Sequence, residues 1–320
     1  MANTFIKPSV IAQTMIQLLF RELVLARTVW TDAVRSDDFV NALNDTVNLR
    51  VPARRTARTR TLRAGTPLTA DVSNEFAVPV QLTTDVYNGA PITDEELSLD
   101  IVNFGEQVLV PQVRAVAEGI EDLIAAEITG ASYGTVLDFD ESDPWVTAVA
   151  ARKILNDNNV PKANRFWVVG SGVESELLLS DRFVKADNIG AERASSTFED
   201  AVIGRIAGFT VLQSNAIDED ESYAYVRSAF VAAGRTPKIP QGAAFGQVTP
   251  LSSAERVQVG ASMGGLSARW VMDYDSVNGT DRSWTSSWFG SATVEDPDDP
   301  SDPESTTSFI RGLKITLSGS

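Results

Sequence analysis

The sequence contains neither cysteine nor histidine. Without thiols there are no disulfides, thiolate nucleophiles or cysteine-bound zinc; without imidazole there is no Ser-His-Asp arrangement. Long apolar runs are missing too. No stretch reaches the roughly 18 apolar residues that a membrane helix needs, and the amino terminus lacks a basic region followed by an apolar segment. Neither membrane insertion nor secretion is expected, which makes the cytoplasm the default compartment. Basic residues are scarce, 27 against 43 acidic, for a net charge of −16. This surplus opposes binding to a phosphate backbone. It serves solubility, and it equally suits a protein that encloses nucleic acid without gripping it.

What is there is a chain of 320 residues, 43% apolar, enough for a substantial core and about two domains. After Pro8, residues Ile11, Met15, Leu18, Leu19, Leu23 and Val24 fall at spacings of three and four, predicting an amphipathic helix over Ser9 to Trp30. A polar stretch, Ser36 to Asp45, precedes the strand-like Val47, Leu49 and Val51. Residues 1–48 read as an arm that stands apart from the body.

The sharpest local anomaly follows. Arg50, Arg54, Arg55, Arg58, Arg60 and Arg63 occur together with no acid among them, in an otherwise acidic chain. Phe76, Val78, Val80 and Leu82 then alternate up to Asn88-Gly89, a dipeptide suited to a tight turn. These pieces predict a long two-stranded excursion. Such a ribbon does not support itself in water, so it is expected to lie against a neighbouring copy. The arginines have three readings: contact with nucleic acid, although no aromatic is interleaved for base stacking; a solvated basic loop; or pairing with carboxylates of an adjacent subunit.

Further along, Thr93-Asp94-Glu95-Glu96 is a capping-box pattern. Helical periodicity continues through Phe104, Val108, Val113, Val116, Ile120, Leu123 and Ile124 to Gly130, with Pro111 kinking the helix or beginning its main segment. From Pro111 onward the helix would reach about 30 Å. Asp143-Pro144 predicts a second helix to Asn156, and Ser171-Gly172-Val173-Glu174 a capping box opening a third through Ser180. Strands are expected at 165–169, 209–212, 223–226, 230–233, 256–259, 267–272, 283–289 and 309–317, with a turn over 273–281 and an acidic, proline-spaced loop at 295–304. The middle of the chain reads as an α/β domain.

Gly170-Ser171-Gly172 between a strand and a helix resembles the start of a dinucleotide-binding turn, but Ser175 replaces the third glycine and no βαβ series surrounds it, which favours a simple tight turn. Carboxylates cluster at 138–143, 218–221 and 295–304. Asp273-Tyr274-Asp275 begins like a calcium loop, but Val277 occupies its fifth position, so solvated acidic loops are the better reading. No pair of carboxylates can be singled out for hydrolysis. No catalytic, cofactor-binding or metal-binding residue is assigned, and the chain is not expected to be an enzyme; a carboxylate hydrolase or calcium-binding surface protein is the rival from another class.

The order of parts, and the segments RFWVVGSGVESELLLSDRFVKAD (165–187), IGRIAGFTVLQSN (203–215) and LSARWVMDYDSVNGTDRSW (266–284), resemble the major capsid proteins of tailed bacteriophages with the Hong Kong 97-type fold, similar to those of phages infecting actinobacteria. The resemblance implies an α+β fold: an N-terminal arm (1–48), an extended loop (49–92), the spine helix of a peripheral domain (93–133), an axial domain (134–255), peripheral β strands (256–294), and an acidic loop with the terminal axial strand (295–320). It implies self-assembly as pentamers and hexamers into an icosahedral head around double-stranded DNA, with no sequence-specific binding, no cofactor and no membrane. Implied partners are a separate scaffolding protein and a portal, with a decoration protein as a further candidate. The expected location is the virion capsid, assembled in the host cytoplasm. No position matches the lysine and asparagine through which some members crosslink. An encapsulin-type nanocompartment is the alternative. Arg50, Arg54, Arg55, Arg58, Arg60 and Arg63 are candidate inter-subunit contacts, with Glu118, Glu121 and Asp122 on the long helix as their candidate partners.

Overall fold

The computed structural model describes residues 24–34, 36–39, 45–51, 57–63, 67, 76–97, 104–180, 204–238, 245–250, 267–275, 277–278, 280–297 and 308–317. Alternation of Val47, Leu49 and Val51 forms strand β1 (Thr46–Val51), which pairs antiparallel with β2 (Phe76–Gln81), Thr46 opposite Gln81 and Val51 opposite Phe76. The two predicted strands therefore pair, but the ribbon has a seat on its own chain, where Val47, Leu49, Val51, Val78 and Val80 pack with Val231, Ala233 and Val294. It ends at Gln81, because β3 (Thr84–Thr93) belongs to another sheet.

Asn88-Gly89 is not a turn. Both residues lie inside β3, paired with Thr285 and Trp284. The glycine answers a tertiary need instead, since a Cβ on Gly89 would stand 2.3 Å from the Trp284 ring. The Thr93 capping box forms as read: the Thr93 N–H donates to Glu96 Oε2 at 2.9 Å and the Glu96 N–H to Thr93 Oγ1 at 3.3 Å. A π-helical turn, Gly105–Leu109, leads into helix α1 (Val110–Gly130). Pro111 sits in its first turn, where its missing N–H would have had no partner anyway.

Strand β4 (Val136–Phe139), helix α2 (Pro144–Asp157), β5 (Arg165–Val169) and helix α3 (Ser171–Leu179) follow. The chain continues through β6 (Arg205–Ile206), β7 (Phe209–Gln213), β8 (Glu221–Val226) and β9 (Phe230–Arg235). It closes with β10 (Phe245–Pro250), β11 (Ser267–Asp275), β12 (Thr280–Thr293), β13 (Glu295–Pro297), β14 (Ser308–Ile310) and β15 (Gly312–Leu317). The expected strand at 256–259 lies outside the described residues.

Two main sheets organise these strands. One is six-stranded, ordered β4-β15-β8-β5-β7-β6, and takes the terminal strand β15 into its middle. The other runs β10-β11-β12-β3, with β9 extending the row beside the far half of the long β12. Pro91 is tolerated in β3 because that strand is a sheet edge, where an N–H can be missing without breaking a ladder. Helix α1 lies on the second sheet: Gln112 bonds to the Ser283 carbonyl (2.9 Å) and hydroxyl (2.8 Å), and Glu127 accepts from Ser291 (3.0 Å) and Thr293 (2.6 Å). One apolar core joins α1 to the six-stranded sheet, including Trp167, Tyr223, Tyr225 and Phe209; a second, with Val34, Phe39, Val51, Val80 and Val231, holds one face of the ribbon against β9.

The arm does not stand apart. Residues 9–23 of the expected helix lie outside the described residues, but its end is a 3-10 turn, Leu25–Arg27, rather than an α-helix reaching Trp30. Leu25, Ala26 and Val29 are buried in the main core. Trp30 bridges Val231 in parallel, with its N–H on the Phe230 carbonyl and its carbonyl taking the Ala232 N–H. Apolar side chains at 25, 26, 29 and 34 have a seat on their own chain, and burial there outweighs the entropy of ordering the segment.

Candidate assembly surface

The ribbon packs on its own chain along one face, and the segment that joins its two strands is basic. Val51 and Val80, towards opposite ends of the strand pair, are both buried, while Arg50 is exposed on β1. Beyond, Arg58, Arg60 and Arg63 are exposed, and Leu62 is 90% exposed among them. Arg54 and Arg55 lie outside the described residues. A guanidinium cluster with an apolar side chain at its tip can form charge-assisted bonds to carboxylates and cover a small apolar patch at once.

On helix α1 the three acidic candidates divide. Glu118 and Asp122 are exposed, four residues apart on one face, and Glu118 pairs with Arg114 at 3.0 Å. This exposed i,i+4 pair is worth little and leaves Glu118 open to exchange partners. Glu121 departs from the expectation: it is buried, and both carboxylate oxygens accept the Leu25 N–H, at 2.8 and 3.0 Å. Burial pushes its carboxyl up to about 7, against the lowering effect of the Leu25 and Val24 N–H groups. Sequence periodicity alone could not separate it from Glu118, because the arm that covers it comes from 96 residues earlier.

Several of the other acidic and glycine-rich motifs are spoken for within the chain, while residues 298–304 of the acidic loop lie outside the described residues. Helix α3 is capped not by Ser171 but from outside: Gly170 is its N-cap and the Glu219 carbonyl takes the N–H groups of Gly172 (3.1 Å) and Val173 (3.3 Å). A Cβ on Gly170 would stand 2.0 Å from the Asp218 carbonyl oxygen, so the glycine serves this close loop, and the donors a phosphate would need are occupied. Asp273 and Asp275 face Arg282 across the β11–β12 pair, at 2.9 and 3.4 Å, an ion-pair cluster in place of a calcium loop. Asp296 of the acidic loop holds Arg311 in a two-pronged pair at 2.5 and 2.6 Å. Among the described residues no group of three His, Cys, Asp or Glu side chains is placed to hold a metal ion.

Periodicity counted for the core also missed apolar side chains on the outer surface. Trp145, Val146 and Val149 form an exposed apolar stripe on α2, and Tyr87 and Trp288 lie exposed on the second sheet. Their signal was in the sequence as apolar residues on the wrong face of an amphipathic element.

No family model matches this sequence, and no curated protein matches it. Solved structures do. A chain from Mycobacterium phage Che8 is 17% identical with a TM-score of 0.59, the match covering 93% of this chain and 92% of that one. A chain from the capsid of the cyanophage P-SCSP1u is 11% identical, also with a TM-score of 0.59, covering 93% and 89%. One from the virus-like particle of Pyrococcus furiosus is 7% identical with a TM-score of 0.51, covering 96% and 98%. These likenesses extend over nearly the full length of each chain. The fold is α+β, of the Hong Kong 97 type seen in phage capsids.

Proposed function

We propose that this chain is the major capsid protein of a tailed bacteriophage, closing as pentamers and hexamers into an icosahedral head around double-stranded DNA. The observation that carries the reading is the basic segment that joins β1 to β2, on which Arg58, Arg60, Leu62 and Arg63 are all exposed. One face of the ribbon is covered by its own chain, and a second copy covers the exposed basic segment between its strands. Individually weak contacts suffice, because symmetry repeats each of them many times in a closed shell.

In this reading Arg54, Arg55, Arg58 and Arg60 anchor the ribbon on Glu118 and Asp122 of an adjacent subunit, with Arg50 and Arg63 flanking them. Glu121, committed to the arm of its own chain, is left out of that contact. The acidic surplus faces in part the lumen, where it keeps packaged DNA from adhering. A separate scaffolding protein, a portal and a candidate decoration protein complete the assembly, which takes place in the host cytoplasm. The subunits catalyse nothing.

A second reading, an encapsulin-type compartment shell, is favoured by the likeness to the Pyrococcus furiosus virus-like particle over 96% of the chain. Electron microscopy of the expressed protein, alone and with a scaffolding protein, decides. A phage coat is expected to close uniform shells only with scaffolding; closure alone around a protein cargo supports the second reading. A persistent monomer under both conditions overturns both.

A further inference from the structure

The arm and helix α1 meet at a buried carboxylate. Glu121 takes the Leu25 N–H on both oxygens, at 2.8 and 3.0 Å, in a site sealed by the arm itself. Next to this bond Thr28 donates to the Leu25 carbonyl at 2.7 Å and shares a 2.6 Å hydroxyl contact with Tyr225 of β8. Further along, Arg227 donates to the Val29 carbonyl at 3.0 Å and approaches Asp32 at 3.8 Å. The charged or titratable groups acting on Glu121 are Arg27 of the arm, which favours its ionised form, and Asp122 of its own helix, which opposes it, with Tyr225 facing it from β8. Burial pushes the Tyr225 phenol well above its ordinary value, so it stays neutral. Arg227 and Asp32 lie on the far side of the arm segment, at Val29 and beyond.

We propose that Glu121 is a proton-operated latch: with its proton held, the carboxyl keeps the start of the arm, at Leu25, seated on helix α1, and loss of that proton weakens the hold of the segment Leu25–Val34 on the body. The contacts lie within one chain, so the inference is independent of the assembly reading.

The direction follows from linkage. A carboxyl that sits at about 7 under the seated arm, against its ordinary 4.5 when the arm lifts and water reaches it, binds its proton more tightly in the seated state. Seating is strongest in acid and weakens as pH rises through 7. The protonated group keeps its carbonyl oxygen for the Leu25 N–H. The ionised group in the same place has a buried charge that one pair of backbone donors does not offset, and lifting the arm hydrates it.

Hydrogen–deuterium exchange on the full chain, corrected for intrinsic rates, tests this from about pH 5.5 to about pH 8.5, where protection of the peptide spanning 25–34 is expected to fall by about 30-fold. Protection in β5 is expected to stay constant. Glu121→Gln, neutral at every pH, is expected to abolish the fall. Constant protection of 25–34 in the wild-type protein overturns the proposal whether or not the variant folds. So does a parallel loss in β5, which marks general unfolding, or an unchanged pH profile in Glu121→Gln.

Discussion

Gly89 on β3 lies directly opposite Trp284 on β12, and the indole occupies the space where any other residue would place its Cβ, 2.3 Å away. Tyr87 reaches the same indole from two residues earlier, ring centroids 6.1 Å apart, so the tryptophan is held between a glycine and an aromatic neighbour. Gly89→Ala is expected to displace the ring and cost about 1–3 kcal/mol, as overpacking usually does. Urea unfolding measures this; unchanged stability would mean that the indole swings away freely.

Leu25 belongs to the leading arm yet is fully buried in the main core. Leu25→Ala is expected to destabilise the unassembled subunit by about 2–5 kcal/mol, the range for a buried leucine truncated in a packed core. If the arm were ordered only by a neighbouring copy, the same substitution would leave the monomer's denaturation midpoint where it was.

Gln112 and Glu118 stand two turns of α1 apart or less, and are expected to behave differently. Gln112 is buried and ties Ser283 twice, while Ser283 also accepts the Trp270 indole N–H at 3.0 Å. Gln112→Ala is expected to cost about 1–3 kcal/mol because partners are left unsatisfied inside. Glu118→Gln loses only an exposed pair and is expected to cost less than about 0.5 kcal/mol. Equal losses in thermal unfolding would refute the contrast.

Asp140 organises the entrance to α2, its Oδ1 accepting the Ser142 hydroxyl (2.5 Å), the Ser142 N–H (3.0 Å) and the Asp143 N–H (3.2 Å). The Ser142 hydroxyl, then the Asp143 N–H, hold its carboxyl below the ordinary 3.8. A lowered value means that the contribution is present above the unfolded value and lost as pH falls through the folded one. Asp140→Asn is thus expected to lower the melting temperature at neutral pH, with the gap closing in acid below 3.8. A gap that does not change with pH would count against this account.

Arg55→Glu reverses one charge in the arginine run. It is expected to yield soluble subunits that fail to close shells, read as particle yield by electron microscopy or sedimentation. Wild-type yield would remove the arginine–carboxylate contact from the assembly reading.

Legibility followed range. The Thr93–Glu96 capping box, the entry of α1 at Pro111, the alternation of β1 and the strand at 165–169 were readable because their causes lie within a few residues. Asn88-Gly89 and Ser171-Gly172 misled because the same small residues serve close approach as well as turns. Only the partner strand or loop, Trp284 in one case and Asp218 with Glu219 in the other, tells which. On the candidate surface, the arginine run was visible at once as an anomaly of composition, whereas the fate of Glu121 was not.

By itself the sequence determined that no thiol or imidazole chemistry is available, that helices and strands alternate in a given order, and that one short basic segment interrupts an acidic chain. These follow from residue identity and local spacing. Tertiary structure decided that the arm seals the core, that glycine at 89 makes room for an indole, and that of the three candidate acids on helix α1 Glu121 is taken from solvent. Burial and packing are set by what arrives from far along the chain, and a carboxylate's charge, like a glycine's purpose, depends on that neighbour.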